Sequence, residues 1–292
     1  MSELDNRFAA RAAASPICTK RYRHVWTQEQ GGVTYGDGVN FWPAVYDLST
    51  SISSTALTVN VLIGATDGGG GFTAEVATRW EGAIKRIWSD KVTISVNETI
   101  AGVVKTHTRR VLVEISWNHS DAEFTVECKQ TPGMDGLIAS IDNLPTPLER
   151  RNRMVGLGVL ALSADGYDVA WPKWKKVALL RDVVRDNVFH GTPNMLQWGA
   201  KDSEAVPHEF GHTIGLPDEY DTTKYNGVAV DATIYGQRGF TTDSIMNNTV
   251  SSRGSKLYTR HFNQIATDFM DLMSTRVKPS GNFTGSPIIR FL

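Results

Sequence analysis

The segment VPHEFGHTIGLPDEY, residues 206–220, constrains local structure more than any other part of this 292-residue chain. His208 and His212 are four residues apart, so on a helix both imidazoles project from one face. Glu209 lies beside them. Pro207 fits only in the first turn of such a helix, where its missing N–H has little effect. The pattern therefore predicts a short helix that gathers three side chains that are costly to desolvate.

The residues after this helix suggest what offsets that cost. Gly215 can adopt a positive φ, end the helix and reverse the chain, so that Asp218 can approach the two imidazoles. Two histidines and a carboxylate, with a fourth position open to water, are typical ligands of a catalytic zinc ion. The sequence thus predicts a Zn²⁺ site with His208, His212 and Asp218 as ligands. Glu209 is predicted to be the general base that takes a proton from the water.

Other residues are alternatives for parts of this site. His261, in the sequence YTRHF ahead of the last predicted helix, is an alternative third ligand, with Asp218 then outside the coordination sphere. Glu219 is a further alternative ligand. Tyr258, Arg260 and His261 are also within chain reach to stabilise an oxyanion. The spacing after the glycine favours Asp218 over these alternatives.

Composition excludes several classes of partner. The chain is 41% hydrophobic and 21% charged with a net charge of −1, which argues against binding to nucleic acid or membranes through bulk charge. No apolar run has the length of a transmembrane segment. The N-terminal 21 residues lack the apolar region of a signal peptide. We therefore expect a protein that is cytoplasmic when made, and that is exported, if at all, by a route without a cleavable leader.

The chain contains two cysteines, Cys18 and Cys128. Two are too few for a disulfide framework, and their spacing does not match a zinc knuckle. A single disulfide between them would require an oxidising compartment. We expect two thiols without a catalytic role.

Hydrophobic periodicity predicts a sheet with a helix packed on it. Ala56–Ala65 is β-branched and apolar, as in a buried strand. Apolar residues recur every four positions from Phe72 to Trp88, which predicts an amphipathic helix. Three further strands are predicted at Val92–Val96, Arg110–Trp117 and Glu123–Lys129. The last two are expected to form a hairpin around Asn118–Asp121.

The two ends of the chain differ in pattern. Residues 1–50 are rich in turn formers and aromatic residues without a clear period, which predicts an irregular lead-in. Asn194–Trp198 is predicted to be a short strand just before the motif. One face of a closing helix is apolar. Its residues are Phe262, Ile265, Ala266, Phe269, Leu272 and Met273.

Two segments together resemble a known family. HEFGHTIGLPD, residues 208–218, is similar to the extended zinc motif of the metzincin metallopeptidases, in the variant with aspartate as the third ligand, as in snapalysin. SIMN, residues 244–247, resembles their Met-turn. The resemblance implies the same ligands and base as above, and Met246 as the hydrophobic floor of the site. Asn248 departs from the pattern, because some metzincins have a tyrosine at this position.

The resemblance also implies an α+β fold of the metzincin-like zincin type. Such a fold has a mixed twisted sheet, a backing helix, the active-site helix and a C-terminal helix. We accordingly divide the chain into an irregular lead-in (1–50), an N-terminal catalytic subdomain ending in the zinc-binding helix (51–215), and a C-terminal subdomain with the Met-turn and final helix (216–292).

The resulting functional hypothesis is a zinc metalloendopeptidase that uses a metal-bound water and Glu209 as general base. Its polypeptide substrate would bind as an extended strand beside Asn194–Trp198. One alternative is a zinc-stabilised binding or scaffold module whose metal is closed by a fourth protein ligand. Another is a zinc amidase acting on peptidoglycan cross-links. The segments HEFGHTIGLPDEY and SIMNN also resemble metallopeptidase domains of bacterial contractile-injection (type VI) toxins, which implies a secreted toxin.

Overall fold

The computed structural model describes residues 16–26, 28–30, 33–35, 42–129, 134–156, 167–185, 197–200, 205–216, 219, 223–225, 228–229, 243–246, 255–275 and 282–292. Over these ranges the chain forms an eight-stranded mixed sheet, a separate four-stranded sheet and six α-helices. The predicted α+β class is confirmed.

Twelve strands are described. They are β1 (Cys18–Trp26), β2 (Gln28–Gln30), β3 (Val33–Tyr35), β4 (Trp42–Thr50), β5 (Ala56–Gly68), β6 (Val92–Ile100), β7 (Val103–Trp117), β8 (Phe124–Lys129), β9 (Gln197–Gly199), β10 (Thr223–Tyr225), β11 (Val228–Ala229) and β12 (Asn282–Phe291). The large sheet has the order β1-β4-β5-β7-β6-β12, with β8 paired to β5 and β9 to β8. The small sheet has the order β11-β10-β2-β3.

The helices are α1 (Ala74–Trp88), α2 (Met134–Asp142), α3 (Pro147–Gly156), α4 (Lys173–Arg185), α5 (Val206–Thr213) and α6 (Asn263–Thr275). A 3-10 turn at Thr259–Phe262 leads into α6. Among the described residues, no helix combines the length and the apolar character needed to cross a bilayer.

Strand β5 lies at the centre of the large sheet. Its apolar residues, such as Val59, Val61 and Ile63, are fully buried. It pairs with β4 in antiparallel fashion and with β7 and β8 in parallel. The predicted strand at this position is confirmed and extends to Gly68.

Helix α1 follows β5 and packs on the sheet. Its N-cap Thr73 accepts a hydrogen bond from the Val76 amide, as expected of a capping hydroxyl. The predicted apolar face is buried, with Trp80, Ile84 and Trp88 fully inaccessible. The indole Nε1 of Trp80 donates to the Gly199 carbonyl at 2.9 Å, which joins α1 to β9.

The predicted hairpin of the strands now labelled β7 and β8 is wrong. Each strand pairs with β5 in parallel instead. Asn118, with φ of +52°, follows β7 and is bound to β5, since its amide donates to Ile63 and its Oδ1 accepts from the Ala65 amide. These two bonds keep the chain after β7 next to β5, whereas a hairpin would require it to pair with β7. The observed hairpin is β6–β7.

Two nine-residue strands lie in the range where we expected irregular chain. β1 and β4 pair over their whole length, from Cys18 opposite Thr50 to Trp26 opposite Trp42. Charged residues at successive positions of β1 hide its period. Lys20, which faces the core side, reaches Asp271 on α6 with its amine, whereas Arg21 points outward to Asp47.

Helix α6 covers this part of the sheet. The predicted apolar face is confirmed, and its residues are buried. Asp268, only 4% exposed, accepts hydrogen bonds from Tyr46 at 2.5 Å and from His24 at 2.7 Å. Beyond α6, β12 pairs with β6, with a register shift between Thr284 and Ile288. The shift interrupts the alternation that would have indicated a strand.

Helices α2, α3 and α4 lie between β8 and β9 in the chain and have a hydrophobic cluster of their own. Its buried residues are Leu137, Ile138, Ile141, Met154, Tyr167 and Leu180. Lys176 is buried beside it and binds Asp142 at 2.8 Å.

Cys128 carries a free thiol in the core, so the one possible disulfide of the chain is not formed. Burial raises the pKa of this thiol to about 11. It is therefore protonated at neutral pH and is a poor nucleophile.

The β6–β7 turn gives a test of the fold. Its two central residues, Ala101 and Gly102, have φ of +48° and +83°, the region that asparagine tolerates better than alanine. We expect Ala101→Asn to raise the free energy of unfolding by roughly 0.5–1 kcal/mol, part of the left-handed penalty. Urea unfolding measures this. Ala101→Val is the control and should destabilise the protein, and equal stability of the two variants would contradict the turn.

Candidate metal centre

Helix α5 carries the HExxH segment through the core. All eight residues from Val206 to Thr213 are buried. No side chain caps the start of the helix. In its first turn, the amides of His208 and Glu209 donate to the Ala205 carbonyl at 2.8 and 3.1 Å. Pro207 lies in the first turn, as predicted from its missing N–H.

Gly215 ends α5 with a φ of +90°. Its amide donates to the His212 carbonyl, and the Leu216 amide donates to the Gly211 carbonyl, both at 3.0 Å. This pair of bonds is a Schellman motif with glycine at the left-handed position. The predicted reversal of the chain at Gly215 is confirmed, and it brings the Leu216 carbonyl back to the end of the helix.

The two histidines of α5 are buried and held in the same way. Their ring centroids are 5.2 Å apart, and their planes are nearly perpendicular. Nδ1 of His208 lies 2.7 Å from the Ile245 carbonyl, and Nδ1 of His212 lies 2.7 Å from the Leu216 carbonyl. Since a carbonyl only accepts, each Nδ1 carries the proton and each Nε2 keeps its lone pair. This is the tautomer of a metal-binding histidine whose second nitrogen is fixed by the protein.

Glu209 completes the group. It is 5% exposed, and its Oε2 lies 3.9 Å from Nε2 of His212. One ligand atom from each of His208, Glu209 and His212 lies within 4.8 Å of the others. Within the described part of the chain, these three side chains form the group of histidine, cysteine and acidic residues that is spaced closely enough to bind a metal ion. Two imidazole lone pairs beside a carboxylate fit Zn²⁺.

The predicted third ligand, Asp218, lies outside the described residues, as does Asn248. Leu216, two residues before Asp218, and Glu219, directly after it, are described. Leu216 is bonded to α5 as above, and the Glu219 amide donates to the Met246 carbonyl at 2.9 Å.

The alternative site residues Glu219 and His261 bind each other. Glu219 is fully buried, and both its oxygens accept from Arg260 at 2.7 Å. Nε2 of His261 lies 3.1 Å from Oε1 of Glu219 and 3.3 Å from the Ser244 hydroxyl. We refer to Ser244, Glu219, Arg260 and His261 as the Glu219 cluster.

The protonation of the Glu219 cluster follows from its bonds. Burial raises the pKa of Glu219, but hydrogen bonds from Arg260 and His261 outweigh burial and lower the pKa to about 2. Burial lowers the pKa of His261, although Glu219 opposes it. Nδ1 of His261 accepts from the Tyr258 amide at 3.2 Å, so its proton is on Nε2 and faces Glu219. The cluster thus contains a carboxylate, a guanidinium and a neutral imidazole.

Tyr258, the remaining alternative, contacts Asp243 and Arg260. Its hydroxyl donates to Oδ1 of Asp243 at 2.6 Å. Its ring lies 4.1 Å from the guanidinium carbon of Arg260, a cation–π contact. Both contacts help to hold Arg260 against Glu219.

Met246 packs against α5 at Gly211, which lies between the two histidines in the sequence. It is fully buried, and the segment 244–246 that carries it also supplies the carbonyl that binds His208. A Cβ built on Gly211 would overlap the Met246 sulfur and lie 2.9 Å from its Cε. The methionine therefore occupies the space that the missing side chain of Gly211 leaves.

Trp88 and the Glu219 cluster were not identified as supports from the sequence. Nε1 of Trp88 donates to the Pro207 carbonyl at 2.7 Å, and its ring lies within 6.0 Å of the Phe210 and His261 rings. The period of α1 identifies Trp88 only as a core residue. The indole N–H of a tryptophan needs an acceptor when it is buried, and this is the one signal in the sequence of a further role.

The predicted substrate-binding strand is described only in part. Residues 194–196 lie outside the described ranges, and β9, Gln197–Gly199, pairs with β8 in parallel. Trp198 of β9 is buried against Trp80 and Trp117.

A family model described as immune inhibitor A peptidase M6, catalytic domain, matches residues 197–260. The matched range includes β9, α5, the segment with Met246 and most of the Glu219 cluster. Members of this family are zinc-dependent metallopeptidases. Searches of curated proteins and of solved structures found no match. The match and the geometry of the His208–Glu209–His212 group together support a zinc metallopeptidase.

The contact of Gly211 with Met246 is tested by Gly211→Ala. Overpacking a core site typically costs about 1–3 kcal/mol, and this exceeds the gain of about 1 kcal/mol that alanine gives over glycine in a helix. We expect a net loss of stability on thermal or urea unfolding. Gly82→Ala, in α1 with open space around the added carbon, is the matched control and should stabilise the protein. Equal stabilisation by both would show that Met246 does not pack against α5.

Proposed function

We propose that the protein is a zinc-dependent endopeptidase of the metzincin type, with Glu209 as its general base. The observation that carries this proposal is the buried group of His208, Glu209 and His212, in which both histidines are fixed through Nδ1. Two buried imidazoles that carry their protons on Nδ1, next to a carboxylate, are the kind of side chains that bind a catalytic zinc ion.

The proposed zinc ligands are Nε2 of His208, Nε2 of His212 and the carboxylate of Asp218. Zinc, when bound, supplies a Lewis acid that polarises a carbonyl and lowers the pKa of water. Glu219 and His261 are less suited as ligands, because their polar atoms bind each other, Arg260 and Tyr258. This favours Asp218.

Glu209 is proposed to transfer the proton in the reaction. It lies in the first turn of α5, where the helix dipole favours the charged carboxylate. A carboxylate accepts a proton from the attacking water and can then give it to the leaving amine nitrogen. Its Oε2 lies 3.9 Å from Nε2 of His212, so the carboxylate is next to the proposed ligands, as a general base must be.

Two further features support the metzincin type and a peptide substrate. Met246 packs under α5 on a segment that also fixes His208, as expected of a Met-turn. Strand β9 precedes α5 and pairs on one side with β8. We propose that an extended polypeptide binds along its other side, where backbone groups can form strand-like hydrogen bonds.

The roles of base and ligand are tested by Glu209→Gln and His212→Ala. Glu209→Gln should keep one zinc per chain and lose about 10²–10⁴-fold in turnover of a denatured protein substrate, which is the usual contribution of a general base. His212→Ala should lose the zinc itself. Zinc is measured by elemental analysis after dialysis, and turnover by peptide mapping.

The same experiment distinguishes an enzyme from a scaffold. If Glu209→Gln sheds its zinc, Glu209 is a ligand and the mechanism is wrong. If the zinc-loaded wild-type protein cleaves neither denatured protein nor peptidoglycan, the site is structural. Cleavage of peptidoglycan cross-links alone would favour an amidase.

The third ligand is tested by Asp218→Ala. We expect zinc affinity to fall by more than about 100-fold, beyond the 10–100-fold range of residues that act from outside the coordination sphere. Asp221→Ala, which removes a nearby acid of the same segment, is the matched control and should leave the affinity unchanged. Zinc affinity is measured by competition with a chelator. Wild-type affinity in Asp218→Ala would place the third ligand elsewhere, with His261 the next candidate.

A further inference from the structure

The chain that leads into α4 presents apolar side chains to solvent. Trp174, in the first turn of α4, is 71% exposed, and Val169, in the turn before the helix, is 43% exposed. Ala170 and Pro172 between them are also exposed. Single exposed apolar residues are common on protein surfaces, whereas several within one short segment indicate a contact surface. We refer to residues 169–175 as the Trp174 segment.

The backbone of the Trp174 segment is held in one conformation. The Trp171 amide donates to the Asp168 carbonyl at 3.1 Å, and the Ala170 amide donates to Oδ1 of Asp168 at 2.8 Å. Lys176 is buried, and its amine donates to the Val169 carbonyl at 2.7 Å. An ordered backbone therefore carries the exposed side chains, so binding through them costs little additional conformational entropy.

Two lysines flank the exposed tryptophan. Lys173 and Lys175, on either side of Trp174, are both exposed. The amine of Lys175 lies 3.7 Å from the centre of the Trp171 ring, a cation–π contact. Residues 169–175 include no acidic residue. The Trp174 segment therefore combines apolar side chains with positive charge, although the net charge of the whole chain is −1.

We propose that the Trp174 segment binds the surface of an anionic lipid bilayer. Tryptophan prefers the boundary between hydrocarbon and water, because its ring is largely apolar and its N–H is polar. Lysines beside it can lay their methylene groups along apolar surface while their amines contact anionic headgroups. Such a contact holds a protein on the bilayer without crossing it, and it depends on this local charge and not on the net charge of the chain.

The contacts favour a bilayer over single-stranded nucleic acid, the other partner that tryptophan and lysine together suit. Binding of successive bases needs several aromatic rings with free faces. In the Trp174 segment, the Lys175 amine covers one face of Trp171, and this ring packs against the apolar cluster of α2, α3 and α4. Trp174 is left as the one well-exposed ring of the segment, next to aliphatic side chains that offer no stacking surface.

Co-sedimentation of the full chain with lipid vesicles tests the proposal. The wild-type protein should bind vesicles of equal parts phosphatidylcholine and phosphatidylglycerol. It should bind vesicles of phosphatidylcholine alone about 10–30-fold more weakly, because each lysine near an anionic surface contributes a factor of about five. Lys173→Ser/Lys175→Ser should lower the affinity for the anionic vesicles by a similar factor. Trp174→Ser should lower it roughly tenfold, since one large apolar side chain no longer leaves water.

Two further variants make the result specific. Val104→Ser, in β7, removes an apolar side chain that is 59% exposed on the large sheet, and it should leave vesicle binding unchanged. Trp174→Phe keeps an aromatic ring and should bind more tightly than Trp174→Ser. All the changed side chains are exposed, so thermal unfolding of each variant should be close to that of the wild type.

The outcomes are separate from those of the peptidase proposal. Weaker binding by Trp174→Ser and by the lysine variant, with Val104→Ser unaffected, supports the bilayer contact. The proposal is wrong if the wild-type protein binds neither kind of vesicle, binds both equally, or binds as tightly without Trp174. Binding of a single-stranded oligonucleotide through Trp174, without vesicle binding, would identify nucleic acid as the partner instead. None of these results changes the zinc assignment, which concerns other residues.

Discussion

The site depends on the two hydrogen bonds that fix the buried histidines of α5. An imidazole in the core must satisfy its N–H, and here a backbone carbonyl accepts it in each case. One carbonyl comes from the turn that ends the same helix, and the other comes from residue 245, far along the chain. The protein itself therefore orients the two histidines, and their orientation requires that both segments are folded.

Much of the remaining architecture holds these carbonyls in place. Trp88, the last residue of α1, binds the first turn of α5 through Pro207 and contacts His261. The Glu219 cluster connects the 3-10 turn before α6 to the segment 244–246. Sheet, backing helix and closing helix thus meet around a helix of only eight residues, which has no side-chain cap and a glycine in its last turn. Such a helix needs tertiary contacts to form.

The sequence was most informative where local rules decide the structure. The HExxH spacing, the glycine at 215 and the four-residue period of α1 each depend on residues close in the chain, and each prediction was confirmed. Pairings between distant segments were not predicted correctly. Nothing local shows that Asn118 binds β5, which turned an expected hairpin into two parallel pairings, or that the charged strand β1 pairs with β4. Likewise, Glu219 and His261 are plausible ligands in sequence, and only the fold shows that they bind Arg260 and each other.

The pairing of β8 with β9 has a consequence for how this chain can vary. Lys129, the last residue of β8, lies opposite Gly199, the last residue of β9, so the strands that flank residues 130–196 are adjacent in the sheet. The helices in this interval bury their own apolar cluster. We expect the size and surface of this helical unit to be able to change while β8 and β9 keep their register. Because β9 is the proposed substrate-binding strand, such changes would alter the surroundings of the substrate without moving the histidines of α5.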